Sequence, residues 1–511
     1  MLQQKYRSSL TVQALGLLIA KTLAFAFAFA LPVLLTRSLS QNEYGLFKQV
    51  FLIITSLTAL LPLGFGMSAF YYLPREQDPA RRGQVILNIL LFNLVMGLAA
   101  CLLFALFPGV IGAIFRDPAM SSFAPLAGVV VLLWLFSSFL ETVAVANQEL
   151  RLATIFIVAG QLTRTVLLLS AAIVFDSVEA LIYAAIIHGV LQSIALSWYA
   201  WTRFPGFWRA FDKSLTLKQV AYALPFGLAG LLYTIQTDLH NYFVSHQFSA
   251  ATFAVYSIGV AQLPFIGILR ESVSSVMLPR ISYLQEQGLT REILLLLASA
   301  TRKLAVVILP VYAVLMVTGR EFLTVMFTSA YAESWPIFAI NLTLLPLSLL
   351  DVDAVARAYE GHRFYLVKLQ IVLSIVMVFA LWFGIARFGL PGAITVVVVI
   401  NFILRLMLAA RFTRVIGAKP GDLVLLKDLG KVVLASAVAA ISCLFVRSVI
   451  MASGARPLVV LVVCFAVFGV LYLGAILLLG MATTDEREKV RQGVARLQQF
   501  VYLGRSANSV S

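Results

Sequence analysis

The chain has 511 residues, 61% of them hydrophobic and 12% charged, with a mean hydropathy of +0.96. A soluble globular chain carries about 25% charged residues, so this composition excludes a soluble domain and points to a polytopic membrane protein. The formal net charge of +15 would suit a nucleic-acid binder, but the placement of the basic residues excludes that reading: they fall in short links between apolar runs, as a membrane topology requires.

Crossing the hydrocarbon core takes about 20 predominantly apolar residues. Fourteen such stretches follow one another along the chain, at 10–35, 45–69, 84–107, 122–143, 152–175, 179–201, 217–239, 250–276, 299–318, 334–355, 365–387, 390–412, 430–449 and 457–480. The first contains AFAFA at 24–28, which offers an A-x-A of the kind a signal peptidase cuts. Its apolar run continues to Thr36, however, and a signal's apolar region is only about 7–15 residues long. The expectation is a retained span.

With the other basic residues near span ends counted to the adjoining links, five cations belong to the stretches themselves. Lys21 stands near the middle of the first, with only apolar neighbours at helical spacing. Lys48 is one turn inside the second. Arg164 occupies the middle of the fifth, in the polar turn GQLTRTV. Arg270 lies in the eighth beside Glu271, and Arg405 is about two turns from the end of the twelfth. His188 is mid-way along the sixth and Asp238 ends the seventh. The three cysteines, Cys101, Cys443 and Cys464, fall within spans and imply neither a disulfide framework nor a metal site.

With the N-terminus inside, the inward segments hold 27 of the 38 Lys and Arg residues and the outward loops 6. This positive-inside bias predicts that both termini are cytoplasmic. The basic tail beyond 480, with TTDEREKVRQGVARL, reads as a helix resting on anionic headgroups.

The chain also repeats itself weakly. RSLSQNEYGLF at 37–47 aligns with HQFSAATFAVY at 246–256, pairing Leu39 with Phe248, Ser40 with Ser249, Tyr44 with Phe253 and Phe47 with Tyr256. LPR recurs at 73–75 and 278–280, and ETVAVA at 141–146 returns as DVDAVA at 351–356. The order is kept at a shift of 205 to 210 residues, six spans, so the repeat is parallel. The expected architecture is an all-α integral membrane protein of about fourteen helices, with two six-helix lobes (1–210 and 211–415) around a central cavity. Two further spans (416–480) and the tail (481–511) complete it.

The opening TRSLSQNEYGLFKQ, the six-plus-six arrangement and the fourteen-span length resemble the polysaccharide flippases of the multidrug/oligosaccharidyl-lipid/polysaccharide exporter superfamily, Wzx-type O-antigen flippases above all. The resemblance implies a protein of the cell inner membrane that moves an undecaprenyl-pyrophosphate-linked oligosaccharide to the outer leaflet. Membrane lipid and other polysaccharide-assembly proteins would be its partners, with no cofactor beyond a coupling ion, H+ or Na+. The chain has no nucleotide-binding P-loop.

An ionised residue at the bilayer centre costs about 2.5–3.5 kcal/mol on insertion scales, so it faces a cavity or a partner. Lys21, Arg164, Arg270, Lys48 and Arg405 are therefore candidate ligands of an anionic headgroup, and Glu271, His188 and Asp238 are candidate coupling groups. For each a structural reading stands beside the functional one: an ion pair for Lys21, interhelical packing for Arg164 and His188, an interfacial pair for Arg270 and Glu271, and snorkelling for Lys48 and Arg405. Glu141 and Asp351 end equivalent spans and would bind helix ends or arginines. Tyr71, Tyr72, Tyr233, Gln236, Asn241, Tyr242 and Asn341 are candidate sugar contacts or interfacial anchors.

Two other functions compete. A drug or cation antiporter of the same superfamily would want carboxylates at mid-depth, where this chain has cations. A polyprenyl-sugar glycosyltransferase, polymerase or ligase would need a metal-holding pair such as Asp351 and Asp353, but enzymes of the outer face resemble one another in carrying a large outer loop, absent here.

Overall fold

The computed structural model describes residues 2–209, 211–350, 352–359 and 363–480. These residues form helices joined by turns, with no strand among them. The reason is general. Hydrocarbon offers no hydrogen-bond partner, and a helix satisfies its own backbone. In chain order the helices are α1 (Leu2–Ser38), α2 (Gln41–Leu60), α3 (Ser68–Tyr72), α4 (Pro79–Leu106), α5 (Gly109–Phe115), α6 (Ala124–Ser137), α7 (Phe139–Ala146), α8 (Leu150–Phe175), α9 (Val178–Arg203), α10 (Lys213–Gln247) and α11 (Ala250–Gly259). There follow α12 (Pro264–Glu286), α13 (Thr290–Phe327), α14 (Trp335–Leu342), α15 (Leu344–Leu347), α16 (Asp353–Ala358), α17 (Arg363–Ile416), α18 (Lys427–Ala452) and α19 (Pro457–Leu478).

Among the described residues eleven helices are long and apolar enough to cross a membrane, or twelve if the bent pair Gln41–Leu60 and Phe65–Tyr72 is one span. The protein is a multi-pass membrane protein. The difference from the fourteen expected spans has two sources. The stretch 250–276 is interrupted at Val260–Leu263, between α11 and α12. The stretches 365–387 and 390–412 both fall within α17, which contains a non-helical residue, Gly389 (φ 61°, ψ −142°). A Cβ on Gly392 would strike the Gly384 carbonyl. Along a straight helix those residues would stand about 12 Å apart, so the chain doubles back at Gly389 and α17 is a pair of packed helices.

The expected alignment of 37–47 with 246–256 has a local counterpart. Ser40 and Ser249 are both N-caps, of α2 and α11, with nearly identical backbone angles (φ −64°, ψ 159° and φ −62°, ψ 159°). Each hydroxyl accepts from the amide three residues on, Glu43 at 3.2 Å and Thr252 at 3.3 Å. An Ncap bond of this kind contributes about 1 kcal/mol. Tyr44, Phe47, Phe253 and Tyr256, the paired aromatics, are all buried. The LPR pair has no such counterpart: Leu73 caps the end of α3, whereas Pro279 lies inside α12. Asp351 and the tail from 481 lie outside the described residues.

Contacts divide the chain into two compact units. The first comprises Met1–Ile268, Met326–Asn341 and Gly361–Leu404. In it α1 packs on α8, α4 on α6, α9 on α6 and α8, and α2 on both α10 and α11. Its apolar core gathers Phe65, Leu73, Ile86, Phe139, Tyr199 and Phe204. Some buried polar groups there pair with one another. Gln219 accepts from Asn88 at 2.9 Å and donates to Ser68 at 3.1 Å. Asn147 donates to the Tyr199 hydroxyl at 2.9 Å and accepts from Arg82.

The helix breaks in this unit are covered by glycine. The link after α2 places Leu63 (φ 46°) and Gly64 (φ 71°) in left-handed conformations. A Cβ on Gly227 of α10 would collide with the Leu63 carbonyl, and one on Gly45 of α2 with the Ala250 carbonyl. Small residues admit this backbone approach where helices cross in membranes.

The second unit comprises Leu269–Val325, Leu342–Glu360 and Arg405–Ser511. Here α18 packs on α19, and charged pairs tie α18 and the preceding turn to α13. Arg447 donates to Glu321 from Nε at 3.0 Å and Nη2 at 2.6 Å, Arg302 to Asp428 at 3.4 Å, and Arg291 pairs with Asp422. The Tyr472 hydroxyl donates to the Val306 carbonyl at 2.8 Å.

The Gly227 contact predicts a sharp positional effect. Gly227→Ala should lower the apparent melting temperature of the detergent-solubilised protein by several degrees, consistent with the roughly 1–3 kcal/mol cost of overpacking. Gly230→Ala, whose Cβ meets nothing within 4 Å, should leave it unchanged. Equal melting of the two variants would refute the contact.

Candidate functional site

The first unit brings four of the sequence-predicted residues together. On α2, Lys48, Leu52 and Ser56 recur at four-residue spacing and share a face. On α10, Asp238 and Tyr242 do the same. Ser56 donates to Asp238 Oδ2 at 2.9 Å, and the Tyr242 hydroxyl donates to the Leu52 carbonyl at 3.4 Å, so the two faces meet. Lys48 has both Arg164 and Asp238 as electrostatic neighbours, and Arg164 is in turn a neighbour of His188.

Trp134 of α6 organises the other side. Its indole N–H donates to the Ala185 carbonyl at 3.0 Å, which fixes the ring. The Arg164 guanidinium lies 4.5 Å over that ring, and His188 meets its edge at 5.8 Å with the planes at 86°. Phe51 closes on it from α2 at 5.9 Å. A cation over a desolvated indole gains about 2 kcal/mol, which offsets part of the cost of holding Arg164 in the membrane. It does not neutralise it. Arg164 has no carboxylate within 4 Å among the described residues, and its Nε is buried without a hydrogen-bond partner, as are His188 Nδ1 and Gln49 Oε1.

The arrangement is therefore two cations against one carboxylate, with Arg164 Nε an unfilled donor. Lys48, Arg164 and Asp238 are each half-buried. Such a site favours an anion whose oxygens accept from Arg164 in its planar fork and from Lys48 as a point charge.

The remaining candidates lie elsewhere. Lys21 pairs with Glu141 of α7 at 3.7 Å, both side chains about half exposed (53% and 48%). Arg270 and Glu271 are on α12 and Arg405 on α17, all in the second unit; Arg270 and Arg405 are half-buried and Glu271 is exposed. Tyr71 and Tyr72 form an aromatic group with Tyr222 (Tyr71–Tyr222 centroids 4.6 Å apart), and Arg75 covers Tyr71 at 3.7 Å. Gln236 donates to the Gln370 carbonyl at 2.9 Å and Asn341 to that of Ala261 at 3.3 Å, while Tyr233 is exposed and Asn241 half-buried.

Among the described residues no three His, Cys, Asp or Glu side chains group as metal ligands. Asp351, half of the proposed enzymatic pair, lies outside the described residues.

Sequence reasoning missed Trp134 and Ser56. Trp134 carried a usable signal: tryptophan collects at the ends of spans, and this one stands in the middle of an aliphatic helix. Ser56 carried a weaker one, its eight-residue spacing from Lys48 on one helix face.

Comparison with known proteins follows the same lines. A family model described as polysaccharide biosynthesis protein matches residues 34–336. A curated relative, the EPS I polysaccharide export inner membrane protein EpsE of Ralstonia solanacearum, is 29% identical over 221 residues. That match takes in 42% of this chain and only 50% of the relative's length. Among solved structures, the lipid II flippase MurJ in an inward closed conformation aligns with a TM-score of 0.70 at 13% identity, over 91% of this chain and 98% of its own. An inward-facing multidrug resistance MATE family transporter of the MOP superfamily aligns with a TM-score of 0.59 at 15% identity, covering 78% of this chain and 96% of that one. A MOP superfamily transporter from Pyrococcus furiosus gives 0.54 at 16% identity, over 80% and 95%. At these identities the structures establish a shared fold. The relative and the structures carry the names of an export protein, a flippase and transporters.

The Lys48–Asp238 neighbourhood makes a thermodynamic prediction. Lys48→Met and Asp238→Asn should each lower the apparent melting temperature, and the double variant should lose less than their sum, because each single change strands the other's charge. Additive losses in this double-mutant cycle would show that the two groups do not interact.

Proposed function

This chain belongs to the polysaccharide biosynthesis protein family, and we propose that it moves a polyprenyl-pyrophosphate-linked oligosaccharide from the inner to the outer leaflet of the cell membrane. The observation that carries this reading is the excess of positive charge in the Lys48–Arg164–Asp238 group, with Arg164 held over Trp134 and lacking a carboxylate partner. A pyrophosphate supplies the missing anion. Its polyprenyl tail stays in lipid while the glycan crosses.

Alternating access between two lobes, spans 1–6 and 7–12, is the corresponding mechanism. The positive-inside bias of the links supports a topology with both termini cytoplasmic. Drive comes from the membrane potential, about 2.3 kcal/mol per charge per 100 mV, or from a cation exchanged at Asp238, His188 or Glu271. A drug antiporter is disfavoured by the sign of the site: a cationic cargo would face Lys48 and Arg164 with only Asp238 to receive it.

The test uses cells whose surface glycan depends on this gene. Arg164→Ala and Lys48→Ala should each reduce surface glycan at least tenfold at normal protein abundance, with lipid-linked precursor accumulating in the inner leaflet. Arg164→Lys and Lys48→Arg should retain more. Lys21→Ala, measured beside Lys21→Arg, separates a substrate ligand from an ion-pair role, since Glu141→Gln should reproduce the defect only in the second case. Normal export without both Lys48 and Arg164 would overturn the reading.

A further inference from the structure

A cavity of about 770 Å³ opens in the first unit away from any residue assigned above except Tyr242. Its walls include Arg116, Tyr242, Phe243, His246, Gln247 and Trp382. This volume lies in the range of small-molecule sites, about 300–1,000 Å³, and exceeds what one sugar ring needs. Ile114, Leu239 and Ala386 complete a mostly apolar lining, into which Tyr242, Phe243 and Trp382 bring aromatic rings and Arg116, His246 and Gln247 a few polar groups.

The rim is built rather than incidental. Arg116 ends α5 in a left-handed conformation (φ 52°), where glycine is the unstrained residue and any other costs of order 1 kcal/mol. Two contacts hold that end of α5 against α10. His246 Nδ1 bonds the Ile114 carbonyl at 2.7 Å, and Phe115 lies parallel to Tyr242 at 6.5 Å. Gly112 brings α5 so close to the following turn that a Cβ would meet Ser121 Oγ, at 2.5 Å. Arg116 thus stays at the mouth. The adjacent Asp117 is engaged in capping, accepting from Ala119 N–H at 3.0 Å, and no carboxylate lies within 4 Å of Arg116 among the described residues.

We propose that this cavity binds an anionic saccharide, with a sugar face stacked on Trp382 and its carboxylate or phosphate on Arg116. Trp382 lines the cavity and is 68% exposed. A sugar ring offers an apolar C–H face to such a plane and hydroxyls to its edges. Gln247 both donates and accepts. A carbonyl can only accept, so the bond to Ile114 places the proton of neutral His246 on Nδ1 and leaves Nε2 to accept from a hydroxyl. Arg116 and His246 are the charged or titratable groups at the lining besides the Tyr242 phenol, so the field there favours anions. Tyr242 is one turn beyond Asp238 on α10. Tyr242 thus links the cavity wall to the Ser56–Asp238 contact, and the inference rests on and extends the proposed function: it gives the cargo an acidic sugar beside its pyrophosphate.

The experiment uses the full chain in nanodiscs of phosphatidylcholine, titrated calorimetrically with a hyaluronan tetrasaccharide and, separately, with neutral chitotetraose. The acidic tetrasaccharide should bind at least tenfold more tightly than the neutral one. Trp382→Ala and Arg116→Ala should each weaken it tenfold or more without changing the melting temperature, and Arg116→Lys should weaken it less. Equal binding of the two sugars, no binding of the acidic one, or unaltered binding by the variants would overturn the proposal. So would loss of binding when phosphatidylglycerol is added to the disc, which would make the ligand a lipid headgroup. The two readings fail separately. Export that depends on Arg164 and Lys48, with no saccharide binding at Trp382, refutes only this inference; saccharide binding at Trp382, with export indifferent to Arg164 and Lys48, refutes only the proposed function.

Discussion

Hydrocarbon gives a backbone nothing to bond with, and the rest of this structure depends on that constraint. A helix meets it everywhere except at its breaks. The three breaks that matter most here are each closed by another backbone approaching where a side chain is missing: Leu63 against Gly227, Ala250 against Gly45, and Gly384 against Gly392. Glycine is therefore the residue that lets α2 bend, lets α2 and α11 touch, and lets α17 fold back on itself. Each of these positions would look like a weak point in a soluble helix, where glycine costs about 1 kcal/mol relative to alanine. In the membrane it is where packing concentrates.

The same scarcity of partners governs charge. Glu321 is 5% exposed and is held by two donors of one arginine, while Lys21 and Glu141 pair at the looser distance of 3.7 Å with about half of each side chain exposed. Arg164 follows neither pattern. It is stabilised by a ring face, which attracts a cation without consuming its hydrogen-bond donors. A carboxylate partner would have fixed the guanidinium and cancelled its charge; Trp134 fixes it and leaves the charge available. That distinction separates a structural arginine from one suited to a ligand.

Much of this was legible in the sequence, and what was not has a common cause. Composition gave the class, and the repeat paired Ser40 with Ser249, which the structure shows to be equivalent helix caps. Depth along a span singled out Lys48, Arg164, His188 and Asp238, since a charge in an apolar run is conspicuous in one dimension. Which of these meet is a property of helix rotation and packing. A span that is apolar all round has no moment to reveal its inward face, so Ser56 and Trp134 passed unremarked and Lys21 showed no sign of Glu141. The break at Val260–Leu263 was hidden for a similar reason: hydropathy continues across it while the backbone does not.

The joint shares its two helices with Lys48 and Asp238 of the site, and this relates shape to charge. α2 and the link after it meet α10 through the Leu63 backbone against Gly227 and through Ser56 on Asp238, besides the bonds of Tyr242 to the Leu52 carbonyl and of Gln49 to the Ser245 carbonyl. The first tie is steric and indifferent to charge. The second involves a carboxylate whose cationic neighbour, Lys48, sits two turns back along α2. Under the proposed function, an arriving pyrophosphate competes with Asp238 for Lys48 and leaves Asp238 either protonated or held by Ser56 alone. Only the second tie changes. A ligand shifts a conformational equilibrium by its differential interaction with the two states. Ser56 stands one turn before the end of α2, where the chain bends by 42°, so under the proposed function occupancy of the anion site is felt first beside that bend.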